Sequence, residues 1–262
     1  MEQSDVLITE VDDDGICLVT LNRPDAMNSL NGPMVEALGE LFYELRYDDD
    51  VRVVILTGAG DRAFCAGADL KERKTMSESD VRRRIDDYRE VFRRIAGVPK
   101  PTICAINGYA FGGGLELAMA CDLRVVAEQT KVGLTELKLG IIPGAGGTQR
   151  LVRLVGLARA KELIFTGRRL PGARAAELGL ANYAVPTDEL IDRARTLAEE
   201  MLTSAPIALA QTKAAIDTGW EVDLESGLQL ESTAYAVTIP TEDRQEGLEA
   251  FREKRAPNFK GK

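Results

Sequence analysis

Apolar residues in the first half of the chain fall in short unbroken runs, whereas in the second half they recur at helical spacing. Val6–Val11 and Ile16–Leu21 predict two strands, and Asp12-Asp13-Asp14-Gly15 between them is a turn signal, so a hairpin is expected. Met34, Leu38, Leu41, Phe42 and Leu45 follow Asn31-Gly32-Pro33 at helical intervals and predict a helix. Val51–Thr57 predicts a buried strand, Arg73–Ala96 a charged helix, and Thr102–Asn107 and Leu123–Ala127 two further strands. Strands alternating with helices define an α/β core. From about Ala158 the pattern changes. Helices are predicted at Ala158–Phe165, Gly172–Leu178, Asp188–Ser204, Ile207–Thr218, Val222–Val237 and Glu242–Lys254, with one strand at Ala181–Val185.

The longest apolar runs reach four or five residues, such as Val53-Val54-Ile55-Leu56, too short to span a bilayer. Met1-Glu2-Gln3-Ser4-Asp5 is acidic and lacks the apolar stretch of a secretory signal. The 262 residues, 45% hydrophobic and 29% charged, suffice for one sizeable core or a core plus a small accessory region.

Histidine is absent, which removes Ser/His/Asp and Cys/His catalysis and imidazole metal sites. Acid/base chemistry near neutral pH therefore falls to carboxylates, Lys, Tyr or Cys with shifted pKa values. Cys17, Cys65, Cys104 and Cys121 form no C-x-x-C pair and sit in apolar stretches. They are expected as buried free thiols, with no metal centre, in a reducing compartment such as the cytoplasm. A net charge of −9 argues against nucleic acid or an anionic membrane as the main partner.

Three glycine-rich segments are the candidate chemistry. Gly58-Ala59-Gly60-Asp61-Arg62-Ala63 matches a dinucleotide fingerprint only loosely, because no amphipathic helix opens after it. Asn107–Leu117 carries Gly112-Gly113-Gly114 between a strand and a short apolar helix, Leu115–Ala120. Its open N–H groups suit a negative charge, and a tight strand-to-helix turn explains the glycines equally well. Gly140–Arg150 also precedes a helix but lacks the Lys-Ser/Thr of a phosphate-binding loop. Glu116 and Glu136 lie in these surroundings. A carboxylate in an apolar setting is costly unless paired or protonated. Each could be a helix cap or a surface residue. Close together, they could divide the roles of base and acid.

Phe64-Cys65-Ala66-Gly67-Ala68-Asp69-Leu70-Lys71, Asn107–Glu116, and Glu136 with Gly140–Arg150 resemble the crotonase (enoyl-CoA hydratase/isomerase) superfamily. Leu21–Leu30, Thr241–Gly247 and Phe251–Arg255 extend the resemblance along essentially the whole chain. Within it, Ala68–Arg73, Lys161–Phe165 and Glu221–Leu224 look most like the AU-binding methylglutaconyl-CoA hydratases. The resemblance implies an α/β crotonase-like spiral of ββα units with a C-terminal helical trimerisation region. The spiral core is expected at residues 1–200 and the helical region, packing on the core and a neighbouring subunit, at 201–262. It implies a homotrimer or dimer of trimers acting on an acyl-CoA thioester, with no cofactor beyond the substrate's own coenzyme A. Ala68 and Gly113 match the two oxyanion-hole positions, whose backbone N–H groups stabilise enolate charge. Glu116 and Glu136 match the two catalytic glutamates of the hydratases, and having both favours hydration. Ala26, Asn28, Ala66, Asp69, Leu70, Lys71, Gly144, Tyr235, Phe251 and Lys254 match positions that approach coenzyme A or substrate.

The implied activity is syn addition of water to a trans-2-enoyl-CoA, as in fatty acid β-oxidation. The competing readings are hydration of methylglutaconyl-CoA in leucine breakdown, double-bond isomerisation and thioester hydrolysis. Thr135 stands where many straight-chain hydratases carry proline, so a different acyl pocket is expected. A second activity, AU-rich RNA binding through Lys71–Arg94, is set against the interleaving there of nine cations with six acids, the pattern of a solvated helix face.

Overall fold

The computed structural model describes residues 5–262, so the end of the expected signal-free N-terminus, Met1 to Ser4, lies outside the described residues. The expected hairpin forms β1 (Leu7–Val11) and β2 (Ile16–Leu21), antiparallel, with the Asp12 carboxylate accepting from Asp14 and Ile16 in the turn. Helix α1 (Gly32–Glu44) follows, with Asn31 as its N-cap and proline in its first turn, and buries Met34, Leu38, Leu41 and Phe42. Then come β3 (Val53–Gly58), β4 (Ala63–Cys65), α2 (Leu70–Arg73) and α3 (Glu78–Ala96).

The helix expected over Arg73–Ala96 is α3, which starts five residues later, and the short α2 closes at Arg73 before it. Asp69 caps α2 through the N–H groups of Lys71 and Glu72, and the chain then restarts at Ser77. Ser77 and Asp80 form a reciprocal capping box, a local start signal stronger than the continuous charge pattern that spans the break. Along α3, Arg82, Arg83, Arg89, Arg93 and Arg94 pair with Glu78, Asp80, Asp86 and Glu90 of the same helix, as a solvated mixed-charge face requires.

The sequence continues through β5 (Thr102–Ile106), β6 (Tyr109–Phe111), α4 (Gly113–Ala118), β7 (Leu123–Ala127) and β8 (Lys131–Gly133). Next are a 3-10 turn (Glu136–Leu139), α5 (Gly147–Val155), α6 (Leu157–Thr166), β9 (Leu170–Pro171), α7 (Gly172–Glu177) and β10 (Tyr183–Val185). The chain ends in α8 (Leu190–Leu202), α9 (Pro206–Gly219), α10 (Leu224–Thr238) and α11 (Glu242–Glu253). Strands β4, β6, β8 and β9 were not expected. They have two or three residues each, too few for a period to show.

These short strands create the architecture. A six-stranded sheet runs β1-β2-β3-β5-β7-β10, parallel except at β1, and a four-stranded sheet runs β4-β6-β8-β9. Each long strand passes to a short one and then to helix: β3-β4-α2-α3, β5-β6-α4, β7-β8-α5-α6. Successive ββα turns stack as a spiral. Both faces of the large sheet are covered, which is why its central strands read as unbroken apolar runs. Val53, Ile55, Ile103, Ala105 and Val125 face α8, while Val54, Leu56, Cys104, Ile106 and Val126 join the main core with α1, α3 and α4. All four cysteines are free and buried, as expected. No helix among the described residues is long and apolar enough to cross a membrane.

The last helices differ. No residue of α9 or α10 is buried, and α11 buries only Asp243 and Ala250. Trp220, Leu224, Leu228 and Tyr235 remain largely exposed along the α9–α10 hairpin.

Candidate active site

The segment after β4 is held by the segment before α1. Leu30 pairs in parallel with Ala68: Leu30 N–H donates to Gly67 O at 2.8 Å, and Asp69 N–H donates to Leu30 O at 3.0 Å. In such a bridge the middle residue turns its own N–H away from the partner strand, so the Ala68 N–H stays available. Gly67 lies at φ +99°, and a Cβ there would sit 2.7 Å from Phe111 O and 3.3 Å from Gly113 N. Only glycine allows both the conformation and the approach.

Gly113 opens α4, so its N–H has no acceptor one turn back in the helix. The preceding Gly112 adopts φ 52°, ψ −125°, which bends β6 sharply into the helix. A Cβ built on Gly113 lies 3.7 Å from Ala68 N, so the two expected oxyanion donors are neighbours.

Glu116 is three residues on, on the same face of α4, and is 3% exposed. Its Oε1 accepts from Ala145 N at 2.8 Å and Gly147 N at 2.7 Å. Burial pushes its pKa up, while these two N–H groups and the charges of Arg150 and Arg89 act in the opposite sense. Glu136 starts the 3-10 turn after β8 and is also buried. Neither of its carboxyl oxygens has a hydrogen-bond partner. Burial raises its pKa to about 7, with a smaller push from the Glu116 charge, while the nearby main-chain N–H groups of Glu136 and Thr135 act in the opposite sense. The Gly112 bend passes beside it, since a Cβ at Gly112 would lie 3.4 Å from Glu136 Oε1.

Glu116, Glu136, Ala68 and Gly113 all line one open cavity of about 670 Å³. Of the other expected positions, Ala66, Leu70 and Gly144 line it too. Ala26, Asp69 and Lys71 do not: Ala26 ends a 3-10 turn (Pro24–Ala26), and Asp69 caps α2 and pairs with Arg23 at 3.0 Å. Asn28 is fully buried, and its amide bonds Arg23 N, Ala59 O and Ala63 O, so its side chain works as a brace. Tyr235 sits in the separate α9–α10 groove, Phe251 is 86% exposed on α11, and Lys254 ends that helix at φ 55°. A single chain does not bring these three to the cavity.

Sequence reasoning missed other parts of the wall. Met27, Tyr88, Tyr109 and Phe111 line it, as do the cations Arg73, Lys138 and Arg169. Arg169 stacks on Phe111 with its guanidinium carbon 4.6 Å from the ring centre. Tyr109 and Phe111 were legible in principle, as alternate residues on one face of a strand leading into the glycines. Tyr88 and Arg169 come from distant segments, and no local pattern marks them.

Open main-chain donors beside two buried carboxyls are an arrangement able to support acid/base chemistry on a carbonyl compound. The chain belongs to the enoyl-CoA hydratase/isomerase family, whose profile matches residues 12–262. Among its relatives is the mouse protein named enoyl-CoA hydratase domain-containing protein 2, mitochondrial. It is 53% identical over 252 residues, which cover 95% of this chain and 85% of that one. Human methylglutaconyl-CoA hydratase, mitochondrial, is 47% identical over 256 residues, 96% of this chain and 76% of the relative. The crystal structure of an enoyl-CoA hydratase from Bacillus anthracis superposes with a TM-score of 0.96 at 47% identity. The match covers 98% of this chain and 100% of that one. The crotonase-like spiral expected from sequence is thus the observed fold.

Proposed function

We propose that the chain is an enoyl-CoA hydratase, adding water reversibly and syn to a trans-2-enoyl-CoA to give a 3-hydroxyacyl-CoA. The observation that carries this reading is the unequal treatment of two carboxyls on one cavity. Glu116 is gripped by two N–H donors that favour and orient its charged form, whereas Glu136 is buried with no partner and its pKa is raised to about 7. In this reading the thioester oxygen sits against the Ala68 and Gly113 N–H groups. Glu116 takes a proton from water as the water oxygen bonds to C3. The electron pair of the double bond moves toward the thioester and is held as enolate charge by the two N–H donors. Glu136 delivers its proton to C2 as the enolate collapses. Water's oxygen and one hydrogen end on C3, a second hydrogen ends on C2, and the glutamates exchange protons with solvent before the next cycle. The two carboxyls titrate as a coupled pair. No group beyond the chain and the substrate's own coenzyme A enters the scheme.

The acyl group is the open part of the proposal. Arg73, Lys138 and Arg169 line the cavity, and none of them forms an ion pair among the described residues. This favours an acyl-CoA with an additional carboxylate, as in the methylglutaconyl-CoA named for the human relative, as a second reading beside straight-chain substrates of fatty acid β-oxidation. The exposed apolar face of α9–α10 supports packing against further copies of the chain, a trimer or dimer of trimers. That packing would also offer Tyr235, Phe251 and Lys254 a neighbour's coenzyme A. Four buried thiols suit a reducing compartment, and a cytoplasmic location belongs to the same proposal.

Crotonyl-CoA and methylglutaconyl-CoA are the test substrates. Loss of the conjugated chromophore without release of free thiol is expected, with Glu116→Gln and Glu136→Gln each lowering kcat by about 10²–10⁴-fold. Thiol release in step with chromophore loss makes the protein a thioester hydrolase instead. Movement of a double bond without net hydration makes it an isomerase.

A further inference from the structure

The loop that holds Glu116 is itself held from the opposite side. Arg89 Nε donates to the carbonyl of Gly144 at 2.8 Å, and the N–H of that same peptide, on Ala145, donates to Glu116 Oε1 at 2.8 Å. We infer that Arg89 is a positioning residue for Glu116, acting through the Gly144–Ala145 peptide.

A peptide unit is planar and stiff, so a rotation that loosens the Gly144 carbonyl also swings the Ala145 N–H off the carboxylate. A guanidinium on the oxygen end polarises the unit in the sense that strengthens donation at the nitrogen end. The fit is specific to α3. Ile85, one turn before Arg89 on the same face, lies 3.3 Å from where a Gly144 Cβ would be, so glycine lets the loop settle directly on this helix. Arg93 and Arg94 are committed to Glu90, whereas Arg89 gives Nη1 to Asp86 and keeps Nε for the loop. On the next peptide, Arg150 Nη1 donates to Ala145 O at 3.0 Å, a contact local to α5 and the loop before it. Arg89 alone of the pair reaches the loop from a distant segment, 55 residues away in sequence. The ionisable groups facing Glu116 are therefore Arg89 from α3, Arg150 from α5 and Glu136 from the 3-10 turn, with the Tyr88 phenol on the same cavity wall.

The inference rests on Glu116 acting as the base. Its test compares Arg89→Gln, Arg89→Lys, Arg93→Gln and Glu116→Gln in the full chain, reading kcat, KM, the pH profile of kcat and thermal stability. Arg89→Gln is expected to lower kcat about tenfold with KM nearly constant. The acidic limb of its profile moves to higher pH, because a less supported carboxylate gains its proton more easily. Arg89→Lys keeps the charge without the fixed Nε geometry, so it restores much of the limb's position and less of kcat. Arg93→Gln behaves as wild type. The inference is overturned if Arg89→Gln has the wild-type kcat and acidic limb, or if kcat falls only in step with thermal stability while the limb stays put. An active Glu116→Gln variant instead removes the base assignment itself, whatever Arg89 does.

Discussion

The Tyr88 hydroxyl donates to the carbonyl of Leu30 at 2.9 Å in the buried wall of the cavity. That carbonyl also accepts from Asp69 N–H, so Tyr88 steadies the short pairing that presents the Ala68 N–H. Burial pushes the phenol pKa up, which keeps the hydroxyl a donor. Tyr88→Phe leaves the stacking on Phe92 and removes only the oxygen. Such a bond is worth about 1 kcal/mol, so a kcat loss of about fivefold is expected where that energy is expressed in the transition state. Kinetics with crotonyl-CoA, together with the infrared carbonyl stretch of a bound saturated acyl-CoA, check it. The stretch should move toward its position in free solution. An unchanged kcat and stretch with lowered thermal stability would mean that Tyr88 only supports the fold.

The unpartnered Glu136 predicts two pH effects. Its pKa is raised from the ordinary carboxylate range to about 7, so between those values the folded protein binds a proton that the unfolded chain has released. Stability therefore falls as pH rises through that window, and the penalty is complete above it, at most about 3 kcal/mol. Glu136→Gln cannot ionise and escapes the penalty. Its thermal midpoint, measured against wild type, should gain from pH 5 to pH 8, and a constant difference would show that the carboxyl ionises without cost. With Glu136 as the proposed acid, protonated at the start of the cycle, wild-type kcat/KM should decline as pH rises through about 7.

How far the sequence carried can be judged from these same residues. Long apolar strands such as Val53–Gly58 announced themselves because both faces of the large sheet are buried. The four-stranded sheet was invisible, because strands as short as Leu170–Pro171 carry no period and exist only through their neighbours. The break before Ser77 was locally encoded by the capping box but lay under a charge pattern that continued across it. Gly112–Gly114, Glu116 and Glu136 stood out along the chain through glycine-rich turns and apolar surroundings, whereas Ala68 and Gly113 as the two donor positions were readable only through the family resemblance. Arg89, Tyr88 and Arg169 were not readable, because their roles depend on segments tens of residues away, and an arginine on a charged helix looks like its solvated neighbours.

Two helical glycines should respond oppositely to the same added methyl group. A Cβ on Gly114 would lie 2.0 Å from the carbonyl oxygen of Cys65, so α4 packs on β4 backbone to backbone. Neither side can yield without moving Ala68 or Gly113, one at each end of the contact. Gly114→Ala should cost about 3 kcal/mol and abolish turnover even where folded protein is recovered. Gly227 on α10 would place its Cβ 3.5 Å from Gly219 O, an ordinary contact. Gly227→Ala should be neutral or stabilise by up to about 1 kcal/mol, since alanine loses less backbone entropy in a helix. Denaturant midpoints for both variants, with kcat on crotonyl-CoA, make the comparison. If Gly114→Ala matches Gly227→Ala in stability, the α4–β4 contact is looser than described, and it does not set the spacing of the two main-chain donors.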